Sequence, residues 1–231
     1  MKEQNLFDIA RRIDTDRSKY EFIASKVGLP NYKIITDGEV NIRGKDLDIP
    51  IPIRQFINMN KEVIIIANMI KGRVMGILLR STKEKSFMLY GMKKGALYGI
   101  GTLSPDFKYG DTIMIVESAI DCDVAKILIT KNCLAILTAT ISESKAKVLS
   151  CLTNNVLLFL DNDEAGHNGE IVSKRKLEKF GVNVSIIPKI NRIKDLGDLL
   201  DMYRLKEGYA KLITEDIKSS VKFRGGKVLW I

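Results

Sequence analysis

The chain has 231 residues, 45% of them hydrophobic, and a formal net charge of +9. This length and composition allow a buried core of one large domain or two small ones and exclude a disordered chain. Nowhere do about 18 uncharged apolar residues follow one another, which excludes a membrane-spanning helix. We therefore expect a soluble protein without a membrane partner, in the cytoplasm, or in the host cytoplasm if the protein is viral.

The first 50 residues are predicted to form a helix over 3–28, with a weakly apolar register, followed by an irregular stretch around Pro30 and Gly38. Lys plus Arg and Asp plus Glu are balanced here, at 9 each. This part of the sequence carries no excess of charge that would indicate a partner.

Residues 51–110 combine short strands with most of the excess positive charge. The apolar runs 63–69 and 74–79 are separated by the turn signal Lys71-Gly72, which predicts a small antiparallel unit. Lys plus Arg number 10 against 3 Asp plus Glu, whereas the counts are 18 and 16 over 111–231. A folded basic surface attracts polyphosphates, although lysines that only keep a face solvated would give the same counts. The basic residues within or beside the apolar runs are Lys71, Arg73, Arg80, Lys83, Lys85, Lys93 and Lys94.

From residue 111 the pattern changes to alternating strands and helices. Continuous apolar runs, each followed by an amphipathic stretch, are typical of strands buried on both faces of a parallel sheet. The strands are expected at 112–116, 133–139, 156–160 and 182–187. The helices are expected at 119–131, 143–153, 164–180 and 196–206, with Gly181 at a helix C-terminus.

Acidic residues follow three of these strands. They are Glu117 after the first strand, Asp161 and Asp163 after the third, and Asp195 and Asp198 after the fourth and its loop. Because parallel strands point the same way, these carboxylates are expected to meet at one edge of the sheet. Asp121, one helical turn beyond Glu117, can face the same point.

Several carboxylates cannot share a partly buried pocket while ionised unless positive charge offsets them. All-oxygen ligands suit hard cations, so the pattern predicts Mg²⁺ or Mn²⁺, as a pair of ions, and no zinc. Such metal pairs stabilise the attacking and leaving oxygens in phosphoryl transfer. A simpler interpretation stays open: Asp163 can merely cap the following helix, and Asp195 with Asp198 can be a cap and a surface charge.

The three cysteines, Cys122, Cys133 and Cys151, are widely spaced and lie in no CxxC motif or Cys/His cluster. Their spacing predicts neither a disulfide framework nor a zinc site, and each is interpreted as a small core residue. Gly99-Ile-Gly101 lacks the third glycine and the following helix of a phosphate loop, so a turn is favoured. The tail predicts a β-hairpin around Gly225-Gly226 that packs Trp230.

Three segments resemble the motifs of a Toprim domain, the metal-binding α/β module of bacterial-type primases, topoisomerases and certain nucleases. They are VESAID at 116–121, DNDEAGH at 161–167 and KDLGDLL at 194–200. Upstream, IKGRVMGILLR at 70–80 and KGALYGI at 94–100 are similar to segments of the RNA-polymerase core of bacterial-type and phage DNA primases. The DND form itself resembles phage and plasmid versions.

The resemblance implies a Toprim-like parallel sheet flanked by helices, preceded by a small basic mixed α+β subdomain. The implied division is an N-terminal helical or irregular segment over 1–50, the basic subdomain over 51–110, the Toprim catalytic domain over 111–206 and a C-terminal extension over 207–231. The implied activity is synthesis of RNA primers on single-stranded DNA from nucleoside triphosphates by two-metal phosphoryl transfer.

The resemblance also implies roles for single residues. Glu117 is implied as a metal ligand or general acid/base, and Asp121 as a residue that steadies the site from behind the ligands. The remaining implied metal ligands are Asp161, Asp163, Asp195 and Asp198, of which Asp161 and Asp163 are also catalytic. Nucleotide or nucleic-acid contacts are implied for Lys71, Arg73, Arg80, Lys93 and Lys94.

The sequence departs from the family at three positions near the acidic motifs. Ser118 and Asn162 replace glycines, and His167 stands where the family often has arginine. A tight backbone approach at Ser118 is therefore not expected. His167 is interpreted as a solvent-facing helix residue rather than as a catalytic base.

The zinc-binding and helicase-binding domains of such primases have no counterpart in the sequence. A minimal catalytic subunit is therefore expected, with a replicative helicase or a separate template-recognition subunit as its partner. One alternative is a Toprim-type nuclease, in which the same carboxylates activate water but the block 71–99 has no role. The other is a non-catalytic nucleic-acid-binding replication subunit.

Overall fold

The computed structural model describes residues 32–36, 51–71, 73–84, 86–188, 193–205, 215, 217, 222–224 and 227–229. These residues fall into two compact units, Met1–Met92 and Lys93–Ile231. The helix predicted over 3–28 and the packing of Trp230 lie outside the described residues. The helices in the described part of the chain are all too short or too polar to span a bilayer.

The first unit contains a four-stranded antiparallel sheet with the order β1-β2-β3-β4. Its strands are β1 (Tyr32–Thr36), β2 (Glu62–Ile70), β3 (Arg73–Ser81) and β4 (Phe87–Tyr90). The predicted hairpin is confirmed, because β2 pairs with β3 across the turn at Lys71, whose φ of 50° is left-handed. The prediction of an irregular stretch around Pro30 and Gly38 is wrong for residues 32–36, which form β1 and pair with β2, whereas Pro30 and Gly38 themselves lie outside the described residues.

Helix α1 (Ile51–Asn60) stands where the sequence predicts only short strands. Ile53 and Ile57, one helical turn apart, are buried against the sheet in a cluster with Val63 and Leu79. Pro52 is tolerated in the first turn because the N–H that it lacks has no partner inside a helix. The first unit is therefore a mixed α+β structure, as expected, but with one helix more than the pattern predicts.

The second unit is built on a parallel sheet with the order β6-β5-β7-β8. Its strands are β5 (Ile113–Val116), β6 (Cys133–Ala135), β7 (Asn155–Leu158) and β8 (Asn183–Ile186). Its helices are α2 (Ala119–Leu128), α3 (Glu143–Leu152), α4 (Glu164–Glu178) and α5 (Leu196–Leu205). The predicted α/β fold, a Toprim-like parallel sheet flanked by helices, is confirmed.

Both faces of this sheet are covered. Ile113 and Ile115 point to one face and Met114 and Val116 to the other, and all four are buried. Helix α2 packs against β6 and α5, whereas α3 packs against α4. Strand β6 ends earlier than predicted, because Leu137 with a φ of 58° turns the chain away from the sheet.

The strand order creates a crevice between β5 and β7. From β5 the chain crosses to β6 on one side and then returns to β7 on the other side of β5. In open parallel sheets, ligands bind where the strand order reverses in this way, beyond the carboxyl ends of the strands. The residues that follow β5 and β7 therefore occupy the most favourable position for a site.

Residues 93–110 belong to the second unit, whereas the division predicted from the sequence places them in the basic subdomain 51–110. Tyr98 forms an antiparallel bridge with Ala135 at the outer edge of β6, with N–H to oxygen distances of 3.0 and 3.1 Å. Its hydroxyl donates to buried Asp123 at 2.6 Å. Gly99, with a φ of 92°, starts a short 3-10 turn, so the interpretation of this segment as a turn is confirmed.

Smaller predictions have mixed outcomes. The tail hairpin is confirmed by the antiparallel pair β9 (Lys222–Arg224) and β10 (Lys227–Leu229). Gly181 follows the end of α4 with a φ of 75° and donates its N–H to Glu178, as predicted for a helix C-terminus. Cys122 and Cys133 are buried, but Cys151 is exposed and is not a core residue.

Candidate metal centre

Glu117 and Asp161 follow two strands that pair directly. Ile115 of β5 pairs with Leu158 of β7. Beyond β7 the chain runs on beside β5, because the N–H of Phe159 donates to the carbonyl of Ile115 at 2.9 Å. Glu117 and Asp161 therefore both lie just beyond the strand ends, at the crevice between β5 and β7.

Asn162 links two of the acidic segments, the loop of residues 161–163 after β7 and the segment of residues 193–198 after β8. Its backbone N–H donates to the carbonyl of Lys194 at 2.7 Å, and its Nδ2 donates to the carbonyl of Ile193 at 3.2 Å. The Nε2 of exposed His167 lies 3.2 Å from Asn162 Oδ1. The asparagine that replaces the family's glycine thus holds the segment that contains Asp195 beside the loop of residues 161–163.

Asp121 links the acidic segment that follows β5 to the one that follows β8. Its carboxylate is buried and accepts hydrogen bonds from the Ser118 hydroxyl at 2.6 Å and from the N–H of Gly197 at 3.0 Å. Ser118 in turn caps α2 by accepting the N–H of Asp121 at 3.1 Å. The serine that replaces the family's glycine therefore has a capping role, and Asp121 fixes the first turn of α5.

The carboxylates lie close enough to raise one another's pKa. Burial, followed by the charges of Asp163 and Asp121, raises the pKa of Glu117. Burial and the charges of Glu117 and Asp195 raise the pKa of Asp161 to about 6. Burial and the charge of Asp195 raise the pKa of Asp121 to about 7. Acidic residues from all three segments thus contribute to one strongly negative region.

Asp163 and Asp195 also cap helices, whereas Asp198 lies exposed in the first turn of α5. Asp163 Oδ1 accepts the N–H of Gly166 at 2.9 Å, and this bond is the main reason why the pKa of Asp163 is lowered. Asp195 Oδ1 accepts the N–H of Asp198 at 2.9 Å, and Asp198 Oδ2 accepts the N–H of Lys194 at the same distance. The simpler interpretation, with Asp163 and Asp195 as caps and Asp198 as a surface charge, is therefore met by the structure, while the charges of Asp163 and Asp195 still raise the pKa of Glu117.

Lys194 supplies a positive charge to which the sequence pattern assigns no role. Its Nζ lies 3.2 Å from Asp163 Oδ2 and 3.7 Å from Asp161 Oδ2. The hydrogen bond to Asp163 raises the pKa of Lys194. The only signal in the sequence is its position directly before Asp195, and a lysine in a loop is usually a solvated surface charge.

Helix α4 presses against the loop that carries Asp161. A Cβ on Gly166 would lie 2.0 Å from the carbonyl oxygen of Asp161, so only glycine allows this approach. Buried Glu170 accepts the backbone N–H of Leu160 at 3.1 Å through Oε1. Glu170, which the sequence pattern does not single out, therefore holds the backbone immediately before Asp161.

The donor chemistry of this region fits a hard divalent cation. The candidate ligands are all carboxylates. Burial and, after it, mutual repulsion raise the pKa of Glu117 and Asp161, and a divalent cation would relieve that repulsion. Within the described ranges, however, no three His, Cys, Asp or Glu side chains are gathered into a group that could hold a metal ion. Metal binding would therefore require side chains that now face Lys194 or the helix N-termini to turn towards a common point.

The candidate nucleic-acid-binding residues are distributed over both units. Lys71 is exposed at the turn between β2 and β3, Arg73 begins β3, and Arg80 is half-buried near the end of β3. Lys93 and Lys94 are exposed at the start of the second unit, shortly before the bridge at residue 98. Their predicted contacts with nucleotide or nucleic acid stay predictions.

The stability of the metal-free protein is expected to fall as the pH rises from about 4 to about 7. Asp121 and Asp161, with folded pKa values of about 7 and about 6 against an ordinary 3.8, bind protons more tightly in the folded state. Their stabilising contribution is complete at low pH and is lost as the pH rises through the folded pKa values. Asp121→Asn should flatten this decline by up to roughly 1.4 kcal/mol per pH unit, measured by urea unfolding in EDTA. An unchanged slope, equal to that of the exposed control Asp106→Asn, would contradict the prediction.

Comparison with known protein families gives a match within the second unit. Residues 114–200 match a family model described as Toprim-like. No curated protein matches the chain. The matched residues include Glu117, Asp121, Asp161, Asp163, Asp195 and Asp198, and they extend from β5 into α5.

Solved structures of primases share the fold. The chain is 22% identical to the Aquifex aeolicus primase zinc-binding and RNA polymerase domains, with a TM-score of 0.57 over 68% of this chain and 40% of that chain. It is 16% identical to the DnaG primase catalytic domain bound to ssDNA, with a TM-score of 0.59 over 90% and 71%. It is also 16% identical to the E. coli primase catalytic core, with a TM-score of 0.55 over 89% of this chain and 75% of that chain. The chain thus spans less than half the length of the Aquifex protein, matches a Toprim-like family model over residues 114–200, and resembles primase catalytic cores in its fold.

Proposed function

We propose that the chain is a primase-like nucleotidyltransferase that synthesises RNA primers on single-stranded DNA from nucleoside triphosphates. The proposal is carried by one observation: at the crevice between β5 and β7, burial and the charge of Asp195 raise the pKa of both Glu117 and Asp161, so acidic residues from three separate segments lie close together. Carboxylates in this position suit divalent metal ions that bind substrate phosphates. The likeness of the fold to primase cores supports polymerisation among the reactions of Toprim proteins.

The acidic residues would hold two Mg²⁺ or Mn²⁺ ions. The proposed ligands are Glu117, Asp161, Asp163, Asp195 and Asp198. When bound, such ions stabilise the attacking and leaving oxygens of phosphoryl transfer. Asp121 would keep the third segment in place, because its carboxylate accepts the N–H of Gly197 in the first turn of α5.

Glu117 is proposed to accept the proton of the primer 3′-hydroxyl. In the metal-free protein, burial and the neighbouring carboxylates raise the pKa of Glu117, so that it binds a proton more readily than an ordinary carboxylate. The 3′-oxygen then forms a bond to the α-phosphorus of the incoming nucleotide, and the bond from that phosphorus to pyrophosphate breaks. Basic side chains would bind phosphate oxygens of template, primer and triphosphate without reading the base sequence. These side chains are Lys71, Arg73, Arg80, Lys93 and Lys94.

The division of labour along the chain is part of the proposal. Residues 111–206 are proposed as the catalytic domain and 51–110 as the basic subdomain, of which residues 93–110 pack within the second unit, with 1–50 and 207–231 as flanking segments. We also propose that this catalytic subunit works with a replicative helicase or a separate template-recognition subunit.

Incubation with single-stranded DNA, labelled nucleoside triphosphates and Mg²⁺ or Mn²⁺ tests the proposal. Short RNA products are expected from the natural sequence and from the surface control Asp106→Ala, and none from Asp161→Ala or Asp163→Ala. Degradation of the DNA would instead indicate a Toprim-type nuclease. If calorimetry detects DNA binding but no metal binding, the chain is a non-catalytic nucleic-acid-binding subunit and the proposal fails.

A further inference from the structure

We propose that Lys194 is an internal cation that neutralises Asp161 and Asp163 in the metal-free protein and has to leave them before a divalent metal ion binds. The inference rests on the proposed metal site. It starts from one ammonium group that lies 3.2 Å from Asp163 Oδ2 and 3.7 Å from Asp161 Oδ2. A divalent metal ion held by the proposed ligands would supply positive charge to the same two carboxylates.

The lysine acts on more of the acidic region than these two contacts. Its charge opposes the rise in the pKa of both Glu117 and Asp161, and it also interacts with Asp195. One positive charge is therefore shared among carboxylates from all three acidic segments. Metal ions that bind these carboxylates would have to compete with it, because the ammonium group and a metal ion are attracted to the same carboxylate oxygens.

The backbone of Lys194 is fixed, whereas its side chain can move. The carbonyl of Lys194 accepts the N–H of Asn162 at 2.7 Å, and its N–H donates to Asp198 Oδ2 at 2.9 Å. Its side chain is 49% exposed. Rotation of the side chain into solvent would free the carboxylates without breaking either backbone hydrogen bond, so the loop can stay in place while the cation is exchanged.

The competition should be measurable but modest. Partly exposed ion pairs are weak, and a divalent ion brings twice the charge and direct coordination. A bound metal ion should therefore displace the ammonium, but at a higher concentration than it would need without the lysine. Removal of the charge is expected to tighten metal binding by about threefold to tenfold, in keeping with two such ion pairs.

Binding of Mn²⁺ to the full chain tests the inference, with free Mn²⁺ measured by electron paramagnetic resonance. Lys194→Met and Lys194→Gln should bind Mn²⁺ about threefold to tenfold more tightly than the natural sequence, whereas Lys194→Arg, which keeps the charge, should not. Lys147→Met removes one positive charge from an exposed position on α3 and should leave the affinity unchanged. In EDTA, Lys194→Met and Lys194→Gln should unfold at a lower temperature than the natural sequence, and saturating Mn²⁺ should remove the difference.

Equal or weaker Mn²⁺ binding by both Lys194→Met and Lys194→Gln would overturn the inference, even if both variants are less stable in EDTA. Failure of every variant and of the natural sequence to bind Mn²⁺ would overturn the inference together with the metal site of the proposed function. Tighter binding by the two variants without any RNA synthesis by the natural sequence would leave the inference standing and overturn the proposed function.

Discussion

Asp161→Asn is expected to lower the rate of metal-dependent nucleotide transfer by at least about 100-fold, because residues that merely support a metal ligand already contribute about 10- to 100-fold. The same change should stabilise the metal-free protein. The pKa of Asp161 is raised to about 6, so its ionised form is disfavoured in the fold at neutral pH. An uncharged amide removes this penalty, and a gain of about 1–2 kcal/mol is expected at pH 7.5, below the full value of the pKa shift because Asp161 is partly open to solvent, which screens the interactions of its charge.

Primer-extension rates at saturating metal and urea unfolding in EDTA measure the two effects. Asp106→Asn, which also removes one exposed carboxylate, should change neither quantity. A decrease in activity together with an increase in stability would show that Asp161 is a charged functional group and not a residue that only supports the fold. Loss of both activity and stability in Asp161→Asn would show that the carboxylate is mainly structural.

Gly166→Ala is expected to destabilise the protein by about 3 kcal/mol, the upper end of the usual cost of overpacking. The added Cβ would lie 2.0 Å from the carbonyl oxygen of Asp161 and 2.8 Å from its carbonyl carbon. These are backbone atoms, so no side chain can rotate away to make room. The N-terminus of α4 would have to shift, and the cap that Asp163 makes to the N–H of Gly166 would weaken with it.

Gly95→Ala provides the matched control for this substitution. A Cβ on Gly95 would meet its nearest neighbours, Ser144 and Val148, at 3.7 Å, which is ordinary van der Waals contact. Thermal unfolding should therefore show a large decrease for Gly166→Ala and little change for Gly95→Ala. Similar melting temperatures for the two variants would contradict the close approach of α4 to the loop at Asp161.

The parallel sheet could be predicted because its signal is local. Strands β5 and β7 are continuous apolar runs, and Glu117 and Asp161 follow them within a few residues. Helix α1 could not be predicted as readily, because Pro52 and several β-branched isoleucines favour an extended chain. Its apolar residues Ile53, Phe56 and Ile57 do have helical spacing, which is the signal that could have revealed it.

The details of the candidate site depend on contacts between distant segments. Asn162 and Lys194 meet only because the loops after β7 and β8 run side by side, and no local pattern contains that information. In the sequence, an asparagine in place of the family's glycine indicates only a loss of backbone freedom. The structure adds its hydrogen bonds to the carbonyls of Ile193 and Lys194. Asp121 could be placed from helical spacing, but its bond to Gly197 could not.

Tyr98 also limits how two copies of the chain can associate. A strand edge with unpaired backbone groups is a template on which a foreign strand can assemble. Strand β6 is only three residues long, and Tyr98 already engages both backbone groups of Ala135. Too little free edge is left there for sheet extension from one molecule to the next, so aggregation by that route is disfavoured.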